Sequence, residues 1–315
     1  MTISTLTLNP ALDRSMLFET FEVGKLNRAT SSVTTVGGKG INVSRVLNIL
    51  GINATAYGFA GGENGESMKR MLDAEGVSYD FVNTLANTRM NIKIVAKNGE
   101  ATEASESGGP MSDEESKELL EKLDCLFCGK KGQKPDWFVI SGSVPRGIDP
   151  SIYKTITQKA VDNGIKLVLD CDGEALRQGI SARPYMIKPN LFELEQYAKR
   201  KLLSIEEIIN FTLKLHRETG IKILLTLAEK GAIYIGHEGV WRVNAPKVEL
   251  RGFTGAGDSF LAAFIATYDK TGDPSLALCH ASSFAAAKVE LEGTLLPAKE
   301  EITKYLNEIS AQKLI

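Results

Sequence analysis

The stretch WFVISGSVPRGIDPSIYKTITQKAVDNGIKLVL, residues 137–169, carries the fold in miniature. Trp137 to Ile140 is a short apolar run of strand type, and Pro145 and Gly147 then mark a turn. Ser151 to Val161 has the spacing of a helix, and Lys166 to Leu169 reads as a buried strand. Strand, helix and strand in succession make a βαβ unit, the building block of parallel sheets. The alternation continues in both directions. Upstream, Thr2 to Leu8 alternates apolar and polar residues as a first strand, and Ile41 to Leu50 reads as a helix stopped by Gly51. Ala54 to Phe59 follows as a strand and Glu63 to Ala74 as a helix ending near Gly76. Downstream, Ile221 to Leu225 is a further β-branched run, and helices are expected at Ala256 to Tyr268, Ser275 to Val289 and Lys299 to Ile309. The expected class is therefore α/β with a mostly parallel central sheet.

Two stretches break the rhythm. Arg14 to Val36 and Met90 to Glu106 are β-rich, more polar and free of helix signals, as expected of two distant insertions that form a small separate sheet. No internal repeat or low-complexity linker divides the chain, so residues 1–315 are expected to form a single domain.

Composition narrows the class of function. Of 315 residues, 43% are apolar and 24% charged, with a net charge of −2, the profile of an ordinary globular protein. A near-neutral chain lacks the basic surplus of a non-specific nucleic-acid binder. The longest apolar run, near Phe260 to Thr267, falls far short of the ~20 residues of a membrane helix. Met1 to Pro10 has neither the basic patch nor the apolar core of a signal peptide. Four cysteines and no such leader lead us to expect a reducing cytoplasm. The lone pair Cys125 and Cys128 has no second pair and no neighbouring histidine, so it reads as two half-buried thiols at the end of a helix.

The 29 glycines exceed the 22 or so expected at ~7%, and they cluster. Gly37-Gly38-Lys39-Gly40, Gly61-Gly62-Glu63-Asn64-Gly65 and Gly255-Ala256-Gly257-Asp258 each stand before a helix, and Ser141-Gly142-Ser143 follows a strand. In open α/β sheets ligands bind at the carboxyl ends of strands. Small residues there let backbone N–H groups approach an anion, and the helix dipole adds partial positive charge. Several such loops point to a substrate rich in phosphate. Neither a Walker A loop nor a G-x-G-x-x-G after the first strand is present. In Thr254-Gly255-Ala256-Gly257-Asp258 the glycines free the amides to form an anion hole, and Asp258 in the first helical turn is either a dipole partner or a base beside that hole. A hydrolase built on Ser259 is a rival reading, although position 261 is Leu where a nucleophile elbow closes with Gly. A catalytically silent sensor of a phosphorylated ligand is a third. None of His216, His237 and His280 has a partner that the sequence identifies.

With these motifs in order, the chain resembles the ribokinase/PfkB-type sugar kinases from Thr5 to Pro297. Within them it is similar to the hexose-monophosphate branch of 1-phosphofructokinases and tagatose-6-phosphate kinases. The markers are Thr7-Leu8-Asn9-Pro10-Ala11-Leu12-Asp13, Gly37-Gly38-Lys39-Gly40-Ile41-Asn42-Val43, Ser141-Gly142-Ser143, Gly173-Glu174-Ala175-Leu176, Lys188-Pro189-Asn190 with Glu193, and Thr254 to Ser259. The resemblance implies a three-layer α/β/α fold with a small β-sheet lid, formed by about residues 12–36 and 89–107. It implies an ATP- and Mg²⁺-dependent kinase of a ketohexose monophosphate, fructose 1-phosphate first and tagatose 6-phosphate as the alternative. By the same resemblance Asp258 is the catalytic base and Gly255, Ala256 and Gly257 the anion hole. Asp13, Lys25, Arg28, Gly37, Gly38, Lys39, Asn42, Arg89 and Ser141 would bind the phosphosugar. Lys188, Asn190, Thr226, Ala228, Gly231, Thr254 and Ser283 would bind ATP, and Glu193 with Asn190 would hold Mg²⁺ through water. A homodimer through the lid is implied, with neither nucleic acid nor membrane as partner. The chain departs from the family pattern at Ala228, where glycine is usual, at Arg146, where a second proline is common, and at Ala262-Ala263, where an Ala-Gly pair is usual.

Overall fold

The computed structural model describes residues 1–98, 100–130, 132–252 and 254–315, which leaves Gly99 of the second insertion outside. The chain begins with β1 (Ile3–Thr7), β2 (Ala11–Phe18), β3 (Ser31–Gly37), α1 (Lys39–Ile49), β4 (Ala54–Gly61) and α2 (Gly62–Ala74). It continues with β5 (Ser78–Thr84), β6 (Arg89–Ala96), β7 (Ala101–Ser105), α3 (Asp113–Phe127), β8 (Trp137–Ser141), α4 (Ile152–Asp162), β9 (Lys166–Asp170) and α5 (Gly173–Ser181). Then come β10 (Met186–Ile187), α6 (Leu191–Ala198), α7 (Ile205–Thr219), β11 (Lys222–Thr226), β12 (Ala232–Gly236), β13 (Gly239–Val243), α8 (Ala256–Thr271), α9 (Pro274–Val289) and β14 (Ala311–Lys313).

The βαβ unit forms as its sequence dictates. β8 and β9 pair in parallel from Trp137 opposite Lys166 to Ser141 opposite Asp170, with α4 between them in sequence. Along β8, Trp137 and Val139 enter one core while Phe138 and Ile140 enter the other, all four without exposed surface. A strand buried on both faces needs apolar residues throughout, which is why these runs do not alternate. Each buried side chain of this size contributes about 1.5–3 kcal/mol. Helices α3 to α7 cover one face of the sheet, and α1, α8 and α9 cover the other, giving three layers.

The main sheet has the order β14-β13-β12-β11-β10-β9-β8-β1-β4-β5. From β11 to β5 every pairing is parallel, so the strand ends Thr7, Ser141, Asp170, Ile187 and Thr226 share one edge. β12, β13 and β14 extend the sheet as antiparallel strands, because β11–β12 and β12–β13 are joined by turns too short for a crossover. The two insertions form a separate four-stranded sheet of order β3-β2-β6-β7, antiparallel except for the β2–β6 pair.

One expected helix is absent. Residues 299–309 run as successive turns, with Glu301, Lys304 and Leu306 donating three residues back, and end in a single 3₁₀ turn at Leu306–Glu308. The Ser283 hydroxyl donates to the Ile302 carbonyl at 2.8 Å and accepts from the Tyr305 amide at 3.3 Å. Those tertiary bonds take the place of the α-helical ladder. The cysteine pair stands at the end of a helix, α3, as expected, with Cys125 half-buried in its last turn, but Cys128, expected to be half-buried as well, is its exposed cap.

Candidate active site

The common strand edge opens into a cleft of about 490 Å³, roofed by the small sheet. Gly255 caps α8 at φ +83°, a left-handed conformation that glycine adopts without strain. No side chain caps this helix, and the first amide bonded within it is that of Ser259, which donates to the Gly255 carbonyl at 2.9 Å. Helix geometry leaves the preceding N–H groups without intrahelical partners, so they are donors facing the cleft.

Asp258 stands in the first turn of α8 and is buried. It accepts from Asn42 Nδ2 at 2.9 Å. Arg45 Nη1 donates to Asn42 Oδ1 at 3.3 Å, which turns the amide so that its NH₂ faces Asp258. Arg45 is itself held by Glu75 at 2.6 Å and by the carbonyl of Thr294 at 3.1 Å. Burial pushes the Asp258 carboxyl up to about 6, with the charge of Asp170 adding to the rise and Asn42 opposing it. A carboxylate held near that value is ionised at neutral pH and still basic enough to take a proton.

Asp170, at the end of β9, organises the cations. It is fully buried, with Lys188 Nζ at 3.1 Å, Lys39 Nζ at 3.6 Å and the Ser141 hydroxyl donating at 2.9 Å. Burial would raise its pKa, but Lys188, Lys39 and these hydrogen bonds hold it below the usual carboxylate range. Asp170 in turn pushes the Lys39 ammonium up, so that it stays charged. Lys188 Nζ lies 3.6 Å from where a Gly257 Cβ would stand, which places its charge against the anion-hole loop.

Asn190 and Glu193 are a capping box at the start of α6. Asn190 Oδ1 accepts from the Glu193 amide at 2.8 Å, and Glu193 Oε2 accepts from the Asn190 amide at 2.9 Å. Glu193 Oε1 is left facing the cleft, 3.7 Å from Lys39 Nζ. Burial pushes this carboxyl up while Lys39 opposes. One such oxygen beside one amide fits an ion that keeps most of its waters, as Mg²⁺ does. Under the roof, Asp13 on β2 accepts from Asn91 Nδ2 at 2.8 Å, and a Cβ on Gly37 would run into its carboxylate. Burial raises the Asp13 pKa, and Asn91 counters it. Arg89 donates to the Asn9 carbonyl at 3.2 Å and to the Glu106 carbonyl at 3.0 Å, which ties the second insertion to the cleft wall.

Most of the expected residues meet here. Asp13, Gly38, Lys39, Asn42, Arg89, Lys188, Asn190, Glu193, Thr226, Thr254, Gly255, Gly257 and Asp258 all line the cleft. Ala256 is the first residue of α8, Gly37 backs Asp13, and Ser141 lies beneath the floor with its hydroxyl given to Asp170. Ala228 and Gly231 bound the turn after β11. Ala228 has φ +52°, which explains why glycine is usual there and costs this chain about 1–2 kcal/mol. Lys25 and Arg28 lie apart, exposed on the β2–β3 connection, and Lys25 pairs with Glu22. Ser283 is buried in α9 with its hydroxyl taken by Ile302 and Tyr305. Arg146 is exposed outside the cleft, and Ala262 and Ala263 are packed in the core. The Ser259 hydroxyl is sealed, without a hydrogen-bond partner among the described residues, which removes the basis of the hydrolase reading. His216 spends its ring on the Ile221 carbonyl and packs on His237. Asp170, Asn91 and Arg45 escaped sequence reasoning. Asp170 had a signal, a charge closing an apolar strand at the ligand-binding edge.

The profile of the pfkB family of carbohydrate kinases matches residues 7–301. A 1-phosphofructokinase of Borreliella burgdorferi is 37% identical over 269 residues, 85% of each chain. The crystal structure of phosphofructokinase-2 from Escherichia coli, in complex with substrates and products, superposes with a TM-score of 0.91 at 26% identity, covering 98% of this chain and 99% of that one. An Arabidopsis thaliana ribokinase, complexed with ribose and ATP, shares the fold at a TM-score of 0.76 and 19% identity, covering 96% of this chain and 98% of that one.

Proposed function

Because the chain belongs to the pfkB family of carbohydrate kinases, we propose that it transfers the γ-phosphoryl group of ATP to fructose 1-phosphate, giving fructose 1,6-bisphosphate. The observation that carries this reading is the concentration of charge around Asp258. Lys39, Lys188 and Arg89 line one cleft with the base and with the carboxylates of Asp13, Asp172 and Glu193, so cations stand at hand for a phosphate on the acceptor as well as for those of ATP. Asp258 takes the proton of the sugar hydroxyl as its oxygen attacks the γ-phosphorus in line, and ADP leaves. The amides of residues 255–257 and Lys188 bear the charge that spreads over the moving phosphoryl group. Asn42 holds Asp258 in aim. Asp13, steadied by Asn91, orients the sugar hydroxyls. Thr226, Thr254 and the turn through Ala228 and Gly231 form the nucleotide side. Glu193 and Asn190 would hold Mg²⁺ through water, and that ion, when bound, neutralises charge on the ATP phosphates.

The small sheet, about residues 12–36 and 89–107, acts as the lid, since Asp13, Asn91 and Arg89 reach the cleft from it. Its closure would exclude water and limit idle ATP hydrolysis. The lid leaves Val23 94% and Leu26 77% exposed on the β2–β3 connection and Val33 47% exposed on β3, apolar surface that suits a second copy of the chain. A homodimer through the lid is the expected state, and sedimentation at micromolar concentration that finds only monomer would overturn it. No helix among the described residues is long and apolar enough to cross a membrane, and the four free cysteines suit a reducing cytoplasm.

A coupled ADP-release assay over fructose 1-phosphate, fructose 6-phosphate, tagatose 6-phosphate and free sugars tests the assignment. Fructose 1-phosphate is expected to give the highest kcat/KM. Preference for tagatose 6-phosphate would reassign the substrate. Turnover of free sugars alone would sink the role given to Lys39 and Arg89.

A further inference from the structure

We propose that Lys288 is a built-in monovalent cation of the phosphoryl-transfer site, an ammonium sealed behind the N-terminus of α8 that supplies positive charge to the anion hole at Gly255–Gly257. The proposal rests on the kinase reading above. Lys288 stands in the last turn of α9 and has no exposed surface. Its Nζ donates to the Gly293 carbonyl at 2.9 Å, and no carboxylate among the described residues forms an ion pair with it. A buried ammonium with only a neutral acceptor is costly and calls for an anion nearby. Its neighbours make the case sharper. Arg45 and Lys93 are cations and act with burial to lower the Lys288 pKa to about 8, and Asp258 is the negative group that opposes them.

The geometry says where the missing anion belongs. Lys288 Cε lies 3.5 Å from where a Cβ on Gly255 would stand, so the side chain lies against the first residue of the anion hole. Lys188 approaches the same loop at Gly257, but its charge is already matched by Asp170. Lys288 therefore brings a charge that no ion pair among the described residues matches, opposed by Asp258 alone until a phosphoryl group occupies the loop. The competing role is a strut. The 288–293 turn also accepts the Arg251 and Gly252 amides at the Val289 carbonyl and so fixes the approach to the loop.

Two variants separate the roles. Lys288→Met keeps the stem and removes the charge, and Lys288→Ala also opens a cavity. Both are expected to lose about 10–100-fold in kcat, less than the 10²–10³ for a donor that touches the oxyanion, with KM for the phosphosugar within about threefold. Ammonium or methylammonium chloride is expected to restore Lys288→Ala at least tenfold by entering the cavity. Tetramethylammonium chloride, too large to enter, should not, and Lys288→Met should respond to neither. A Lys288→Met enzyme with wild-type kcat overturns the proposal. So does a Lys288→Ala enzyme that no small cation rescues, since a strut alone would behave that way. Failure of the wild type to phosphorylate any sugar in the same assay would sink the kinase reading itself, a result distinct from either.

Discussion

Asp258→Asn is expected to lower kcat by about 10²–10⁴-fold while leaving the KM for ATP within a factor of a few. The substitution keeps the shape, and the Asn42 NH₂ can still donate to the new amide oxygen, so what is lost is the acceptor for the hydroxyl proton. The same carboxylate fixes the acid limb of the wild-type profile. Its pKa is raised from 3.8 to about 6, so kcat falls as pH drops through that value. Stability runs the other way. A carboxyl whose folded pKa exceeds its unfolded one stabilises the fold below the unfolded value, near 4, and loses that contribution as pH rises through 6. Ionised Asp258 thus costs the fold about 1–3 kcal/mol at pH 8, and Asp258→Asn should be more stable by that order, with the gain vanishing below pH 4. Urea unfolding at the two pH values, beside the coupled assay, checks both halves. Turnover like wild type would remove Asp258 from its role.

Asp170→Asn is expected to destabilise the protein by about 3–5 kcal/mol at pH 7, because it strips a buried anion from Lys188 and Lys39 and leaves their charges uncompensated. Asp170 has a folded pKa below its unfolded one. The stability it contributes is present above about pH 4 and is lost on acidification, so the gap between wild type and variant should close in acid. The second effect is on chemistry. Asp170 is the charge that adds to the rise in the Asp258 pKa, and its removal also frees two lysines to favour the ionised base. The acid limb of kcat should therefore move to lower pH. Equilibrium denaturation and a pH profile on the folded fraction measure the two effects. An unmoved limb would mean that Asp170 and Asp258 are not electrostatically linked.

The central βαβ unit was legible because buried parallel strands demand apolar runs, as at Trp137–Ile140 and Lys166–Leu169. The glycine loops at 37–40, 141–143 and 255–258 reach the cleft because they fall at strand and helix ends, whereas the loop at 61–65, expected to be another, packs against Thr84 to Thr88 outside it. The end of helix α3 was legible at the cysteine pair, and its start could have been found from Ser112 and Glu115, which form a capping box. The helix expected at 299–309 failed because Ser283, distant in sequence, claims its backbone. Arg45 and Lys288 stayed hidden for the same reason. Each reads as an ordinary helix cation, and only packing brings one to Asn42 and the other to Gly255. Glu193, which without the family resemblance reads as a solvated helix residue, proves buried, because its capping bond to Asn190 turns it into the cleft.

The roof over the cleft has a consequence for how specificity can change. β2, β3, β6 and β7 are hydrogen-bonded into one piece, which carries Asp13, Asn91 and Arg89 together and contributes none of the nucleotide-side residues. Residues 11–37 and 89–105, far apart in the chain, are thus tied by one ladder, so a substitution in either stretch is felt by the side chains that the other presents to the cleft. On the reading proposed above, such changes would fall on the acceptor side first, because the loops of the parallel sheet carry the proposed nucleotide side.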